Sequence, residues 1–339
     1  MHMADALLSP AVGGTMWAAT AGIIAYCSAK VRTDLDEHKV PLMGVLGAFV
    51  FAAQMINFAI PATGSSGHIG GGLLLAILLG PHAAFLTIAS VLFIQALFFA
   101  DGGLLALGCN IFNLGVFPAF IAYPLLYRKL AGRRPLQTPL LLVTVLAAVV
   151  GLQLAAFAVV LETTASSISA LPFKAFVLLM QPIHLAIGVI EGLATAAVVA
   201  FVYRARPALV ESTLDQRPLG DLPLRGMLVG FGLAALLLGG VVSWFASDHP
   251  DGLEWAISRV TGATELPDAG HRIHDTLAVV QEKLALFPDY AWRTNQTDTT
   301  KTTATGRIDT GLAGLVGGLV TLALCALVGL LLRKHARRA

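Results

Sequence analysis

TPLLLVTVLAAVVGLQLAAFAVVL, residues 138–161, contains no charged side chain and, at about 1.5 Å per residue in a helix, reaches across the roughly 30 Å hydrocarbon core of a bilayer. In lipid only helices and closed barrels satisfy their own backbone polar groups, and a barrel strand would alternate apolar and polar residues over about ten positions. This run is continuous. The expected fold class is therefore all-α, a polytopic helical membrane protein.

Working outward, apolar runs at about 8–29, 41–60, 70–80, 83–100 and 104–127 precede it, and runs at about 175–203, 225–246 and 310–332 follow. Together they predict about nine transmembrane helices. The run at 70–80 covers only half a bilayer, so it is a tilted segment packed by neighbours, a re-entrant half-helix, or one limb of a bent unit with the next run. Its Gly70, Gly71 and Gly72 suit close helix packing. Fifteen of the 22 basic residues fall in four connections, Lys30 to Lys39, Arg128 to Arg134, Arg204 to Arg225 and Arg333 to Arg338. Placing these inside leaves the N-terminus outside and the C-terminus cytoplasmic, provided that the short third run counts as a crossing. The polar stretch 247–308 is then external, a small exposed domain or a flexible loop.

Composition excludes other classes. Only 12% of the residues are charged, against roughly 25% in an average soluble domain. A net charge of +2 gives no electrostatic footprint for nucleic acid. Cys27, Cys109 and Cys325 lie apart in apolar stretches and suggest neither a disulfide framework nor a thiolate metal site. No G-x-x-x-x-G-K-[ST] motif occurs, so ATP hydrolysis is not expected of this chain. The first apolar run lacks a basic segment before it, and a bulky His2 disfavours trimming of Met1, so the mature chain is expected to begin Met1-His2-Met3.

That beginning has the makings of a chelate. A free amine, the next amide nitrogen and the Nδ1 atom of His2 close adjoining five- and six-membered rings around one ion. Ni²⁺ and Cu²⁺ favour such a square plane, whereas Zn²⁺ prefers a tetrahedron and Mg²⁺ or Ca²⁺ prefer oxygen. A fourth nitrogen is needed, and His68, in the external connection 61–68, lies on the same side of the membrane. Taken singly, His2 reads as part of a frayed terminus and His68 as structural; their shared side raises the joint reading. Ser66, with Asn57 and Ser65, is the candidate to orient the second ring nitrogen of His68.

Met1-His2-Met3-Ala4-Asp5-Ala6 with Leu8-Ser9-Pro10 resembles the amino terminus of CbiM/NikM-type substrate-binding (S) components of nickel and cobalt energy-coupling factor (ECF) transporters. Gln54 to Phe58 through Ser66-Gly67-His68 is similar to that family's metal-site loop, and Gln95 to Gly103 with Asn110 and Asn113 is similar to its central signature. The resemblance covers about 1–205. It implies a metal held by the terminal nitrogen of Met1, the amide and imidazole of His2, and His68. It also implies Ni²⁺ or Co²⁺ as transported substrate with no organic cofactor, and as partners a transmembrane coupling (T) subunit and two ATP-binding subunits. Beyond 205 the stretch Ser247 to Ala256 resembles the PDGLE motif of the small NikN-like accessory component. The expected organisation is a seven-helix metal-binding S component at 1–205, a cytoplasmic linker at 206–224 and a two-helix accessory domain at 225–339.

The leading reading is thus a nickel-capture subunit in the cytoplasmic (inner) membrane of a bacterium, in contact with lipid. Low-spin Ni²⁺ gains most from four in-plane nitrogens; the alternative is cobalt uptake for cobalamin synthesis. A rival from another class is a rhomboid-like intramembrane serine protease, since Gly64-Ser65-Ser66-Gly67 fits G-x-S-G and His184 would pair with Ser66. A passive structural subunit is a third. His249, His271 and His274 read as a second metal cluster or, more simply, as solvated surface. His184 and Glu191 share a helix face inside the membrane, with packing and transport roles both open. Asp101, beside Gly102 and Gly103, reads as a turn or cap.

Overall fold

A computed structural model describes residues 2–34, 39–132, 139–220, 222–266, 270–292 and 303–336 of the chain. Its elements are α1 (Pro10–Asp34), α2 (Lys39–Gln54), the strands β1 (Phe58–Ile60) and β2 (Ser65–Gly67), α3 (Gly72–Leu79) and α4 (Pro81–Phe99). Then come α5 (Leu107–Ile111), a π-helical segment (Phe112–Tyr127) and α6 (Arg128–Ala131), which together form one long rod. They are followed by α7 (Leu140–Ser166), α8 (Phe173–Ala205), α9 (Pro207–Leu214), α10 (Arg225–Gly240), α11 (Gly252–Thr261), α12 (Arg272–Leu284) and α13 (Thr303–Ala336).

Among the described residues five helical stretches are long and apolar enough to cross a membrane: 81–99, 107–131, 140–166, 173–205 and 306–333. Apolar α2 and α10 are shorter. The run read as a helix to residue 60 stops at Gln54, because the chain turns into an antiparallel hairpin in which Phe58 faces Gly67 and Ile60 faces Ser65. The 225–246 run likewise gives up its helix at Gly240 and closes in a short 3₁₀ turn, Val242–Phe245. The short third run is one limb of a bent unit. Gly80, at φ 83°, takes a conformation that suits a residue without Cβ, and Pro81 starts α4 where its missing N–H is no loss. All of α3 is buried, so its abbreviated length is not exposed to lipid.

Two ends of the bundle are distinct. Lys39 Nζ donates to the Leu79 carbonyl, Thr213 Oγ1 to that of Leu78 and Arg128 Nε to that of Leu214, which gathers the starts of α2 and α6 and the ends of α3 and α9. The 206–224 linker is therefore no loose tether: α9 is docked under the core. The opposite end holds residues 2–8, the hairpin, the turn at 100–106 and the stretches 247–266 and 270–292. Where helices meet closely the small residues are the reason. A Cβ on Gly192 of α8 would strike the Val145 backbone of α7, and one on Gly314 of α13 would strike the Gly239 carbonyl of α10. The π-helical segment contains Pro118 and Pro124, neither of which can donate to an i−4 carbonyl.

Candidate metal-binding site

The amino-terminal segment is held along a groove by bonds to its main chain and to Asp5. Asn110 accepts from the Met3 N–H at 2.8 Å and donates to the Met3 carbonyl at 3.2 Å, and Gly103 N–H adds a bond to the same carbonyl. Asp5 accepts from Ala106 N–H at 2.9 Å. Met3, Leu7 and Leu8 are buried beneath. At Gly103 a Cβ would collide with Asp5, so the groove needs a glycine there. These bonds leave the His2 ring facing a cavity of about 560 Å³ whose lining includes His68, Asp101, Asp251, Glu254 and Tyr290.

His68 arrives from the other side, at the end of β2. Its Nδ1 meets the Ile69 carbonyl at 3.1 Å, which makes Nδ1 the protonated nitrogen and gives Nε2 the lone pair. Desolvation drives its pKa down from 6.5 to about 3, so the ring is neutral at physiological pH. The loop behind it is pinned: Glu191 accepts from Gly70 N–H and Gly71 N–H, and Gln54 donates to the Gly70 carbonyl at 2.7 Å. The rings of His2 and His68 lie 5.1 Å apart and within 11° of parallel.

Met1, expected to supply the amine, lies outside the described residues. Asn57 lines the cavity, but the task of orienting His68 falls to Ile69. Ser66 Oγ donates to the His249 carbonyl at 2.7 Å, and Ser65 Oγ to that of Ser66, because the hairpin edge pairs with the segment after α10. His184 Nδ1 donates to the Met180 carbonyl and its Nε2 meets no partner among the described residues, while Ser66 Oγ turns to His249, so no Ser66–His184 hydrogen bond of the protease kind joins the described residues. His274 is buried and tethers the Leu8 carbonyl through Nε2 at 3.0 Å rather than lying on the surface. Among the described residues no group of three His, Cys, Asp or Glu side chains is arranged to hold a metal ion.

Local sequence reading missed three contributors. Asp101 is more than a turn residue: its carboxylate faces His2 Nδ1 at 2.9 Å and accepts from the Tyr290 hydroxyl. Desolvation opposes ionisation, yet the His2 ring and the two hydrogen bonds hold its carboxyl well below the usual range. Tyr290 comes from nearly two hundred residues downstream. Asp251 caps α11 by accepting from Leu253 and Glu254 N–H while Glu254 returns a bond to its N–H, a capping box that turns this segment onto the cavity.

Residues 2–209 match the family model described as a cobalt uptake substrate-specific transmembrane region, and residues 225–334 match the PDGLE domain. The chain is 38% identical over 212 residues to a putative metal transport protein of Haloquadratum walsbyi, covering 62% of this chain and 93% of that one. It is 31% identical over 250 residues to a fused nickel transport protein of Rhodobacter capsulatus, covering 70% and 71% of the two chains. The crystal structure of a truncated transition metal transporter superposes with a TM-score of 0.53 at 32% identity, over 60% of this chain and 99% of that one.

Proposed function

We propose a function from one premise: the chain belongs to the CbiM family and carries a PDGLE domain behind the family's membrane region. It is a multi-pass membrane protein for metal transport, and on our reading it is the substrate-capture component of an ATP-driven nickel uptake system. Ni²⁺ is taken from the external side by four nitrogens, the Met1 amine, the His2 amide and Nδ1, and His68 Nε2. A T subunit and two ATP-binding subunits then drive its inward release. The chain crosses the cytoplasmic membrane of a bacterium nine times with the N-terminus outside, which the two-ended distribution of contacts supports. Residues 1–205 form the metal-binding part and 225–339 the accessory part.

The observation that carries this reading is the meeting of His2 and His68 across one cavity, with the Ile69 bond made through the Nδ1 atom of His68. With metal–nitrogen distances of about 2 Å, imidazoles on adjacent corners of a square plane bring their ring centres to roughly 4.5 Å. The rings stand at 5.1 Å, close to that separation. A site that draws two of its four nitrogens from the main chain also accounts for the lack of a three-side-chain group among the described residues. Nickel is favoured by the square plane and by the fused nickel relative; cobalt is the second reading, favoured by the description of the matching family region.

The test is to append one residue before Met1 and to measure Ni²⁺ binding by calorimetry together with its near-square-planar absorption. The extension keeps every side chain and removes the amine from the chelate, so binding and absorption should both collapse. Equal affinity and spectrum in the extended protein refute the assignment.

A further inference from the structure

Asp101 and Tyr290 bear directly on whether His2 is available. His2 Nδ1 lies 2.9 Å from Asp101 Oδ1, and the other carboxylate oxygen accepts the Tyr290 hydroxyl. The chelate rings put forward above close through that same Nδ1. One nitrogen cannot give a proton to a carboxylate and a lone pair to a cation at once. The remaining ring nitrogen, Nε2, is buried and has no hydrogen-bond partner among the described residues, so no such bond holds the ring from its far edge.

We propose that Asp101, held by Tyr290, is a positioning residue for His2 and works as a latch: the imidazole rests on Asp101 and must turn off it before a divalent cation is chelated. The inference rests on the reading of His2 as a ligand. As the ring turns, the Nδ1 proton passes to Nε2 or to solvent, and Nδ1 offers its lone pair.

The latch is set from the PDGLE-bearing part of the chain. Tyr290 stacks on Phe99 with ring centres 5.0 Å apart. Gln281 donates to the Gly102 carbonyl at 2.7 Å and to that of Ala96 at 2.9 Å. Phe287 N–H bonds to the Phe98 carbonyl at 3.0 Å. Asp101 itself sits between two residues of positive φ, Ala100 at 53° and Gly102 at 84°, a backbone that other residues must hold in place. The external segment thus fixes the turn that carries the competing carboxylate. A ring that is free only part of the time lowers apparent affinity by that fraction and adds a first-order step before binding.

Stopped-flow mixing of the full-length protein with nickel chloride, followed by absorption, reads this step. The wild-type rate should level off as nickel rises. In Asp101→Ala the plateau should vanish and the rate rise linearly with nickel. Tyr290→Phe keeps the stacked ring but removes the hydroxyl that holds the other carboxylate oxygen, and should shift the plateau severalfold; it also serves as the probe where Asp101→Ala does not fold. A wild-type rate linear throughout, or a plateau unmoved by Tyr290→Phe, overturns the latch. Failure of the wild type to bind nickel, or undiminished binding by His2→Ala, overturns the ligand assignment instead.

Discussion

Exchanging Glu191 for Gln tests how His68 is held. In the native protein Oε1 accepts from Gly71 N–H at 3.0 Å and Oε2 from Gly70 N–H at 3.2 Å, with Glu191 only 4% exposed. Gln has the same shape, but one of its two terminal atoms is a donor. One glycine N–H then faces another donor and stays unpaired, at a cost of about 1–3 kcal/mol. His68 lies two residues before Gly70, so slack in Gly70 and Gly71 passes straight to the ring. To the extent that the cation must re-order the loop, the cost appears in affinity, and Kd for Ni²⁺ should rise by roughly 5- to 150-fold. Calorimetric titration of purified E191Q, beside its thermal unfolding curve, measures both halves. A folded E191Q with the wild-type Kd refutes the idea that this carboxylate holds the metal loop.

Two further outcomes follow from the same geometry. Gly71 has φ 75°, and a Cβ there would lie 2.6 Å from Val50 Cγ1, so Gly71→Ala should lower Tm and weaken nickel binding; the left-handed backbone alone costs roughly 1–2 kcal/mol, and an unchanged Tm counts against it. His68 is neutral in the folded protein down to about pH 3, whereas an unfolded histidine takes up a proton near 6.5. Stability of the metal-free protein should therefore be full above pH 6.5 and fall as pH drops from there towards 3. Thermal melts at pH 7 and 5 check this, and His68→Gln should flatten that part of the profile.

Much of the fold could be read from residue patterns, because long apolar runs in lipid have few alternatives. The 138–161 run became α7, and 175–203 became α8 with its glycines against α7. The hairpin at 58–67 stayed hidden, since Phe58-Ala59-Ile60 continues an apolar run and only pairing with Ser65-Ser66-Gly67 turns it into a strand. That His2 and His68 meet was expected from the chelate chemistry proposed for the first two residues and from placing both on the external side. Asp101 was not, because an Asp before two glycines is an ordinary turn and its partner Tyr290 lies 189 positions away. Glu191 stood out as a carboxylate inside a helix, yet nothing local names Gly70 and Gly71 as its partners.

The stretches 247–266 and 270–292 direct many of their hydrogen bonds to carbonyls of the rest of the molecule, beside the side-chain contacts of Tyr290 and Phe287. Their donors reach the carbonyls of Leu8, Asn57, Thr63, Ala96, Phe98 and Gly102, while Ser66 N–H returns a bond to Pro250. Bonds of this kind follow the path of the main chain rather than the side chains that decorate it. Tyr290, Phe287 and Gln281 supply the side chains that the docking still requires, so the seam joins a main-chain path to a few fixed residues.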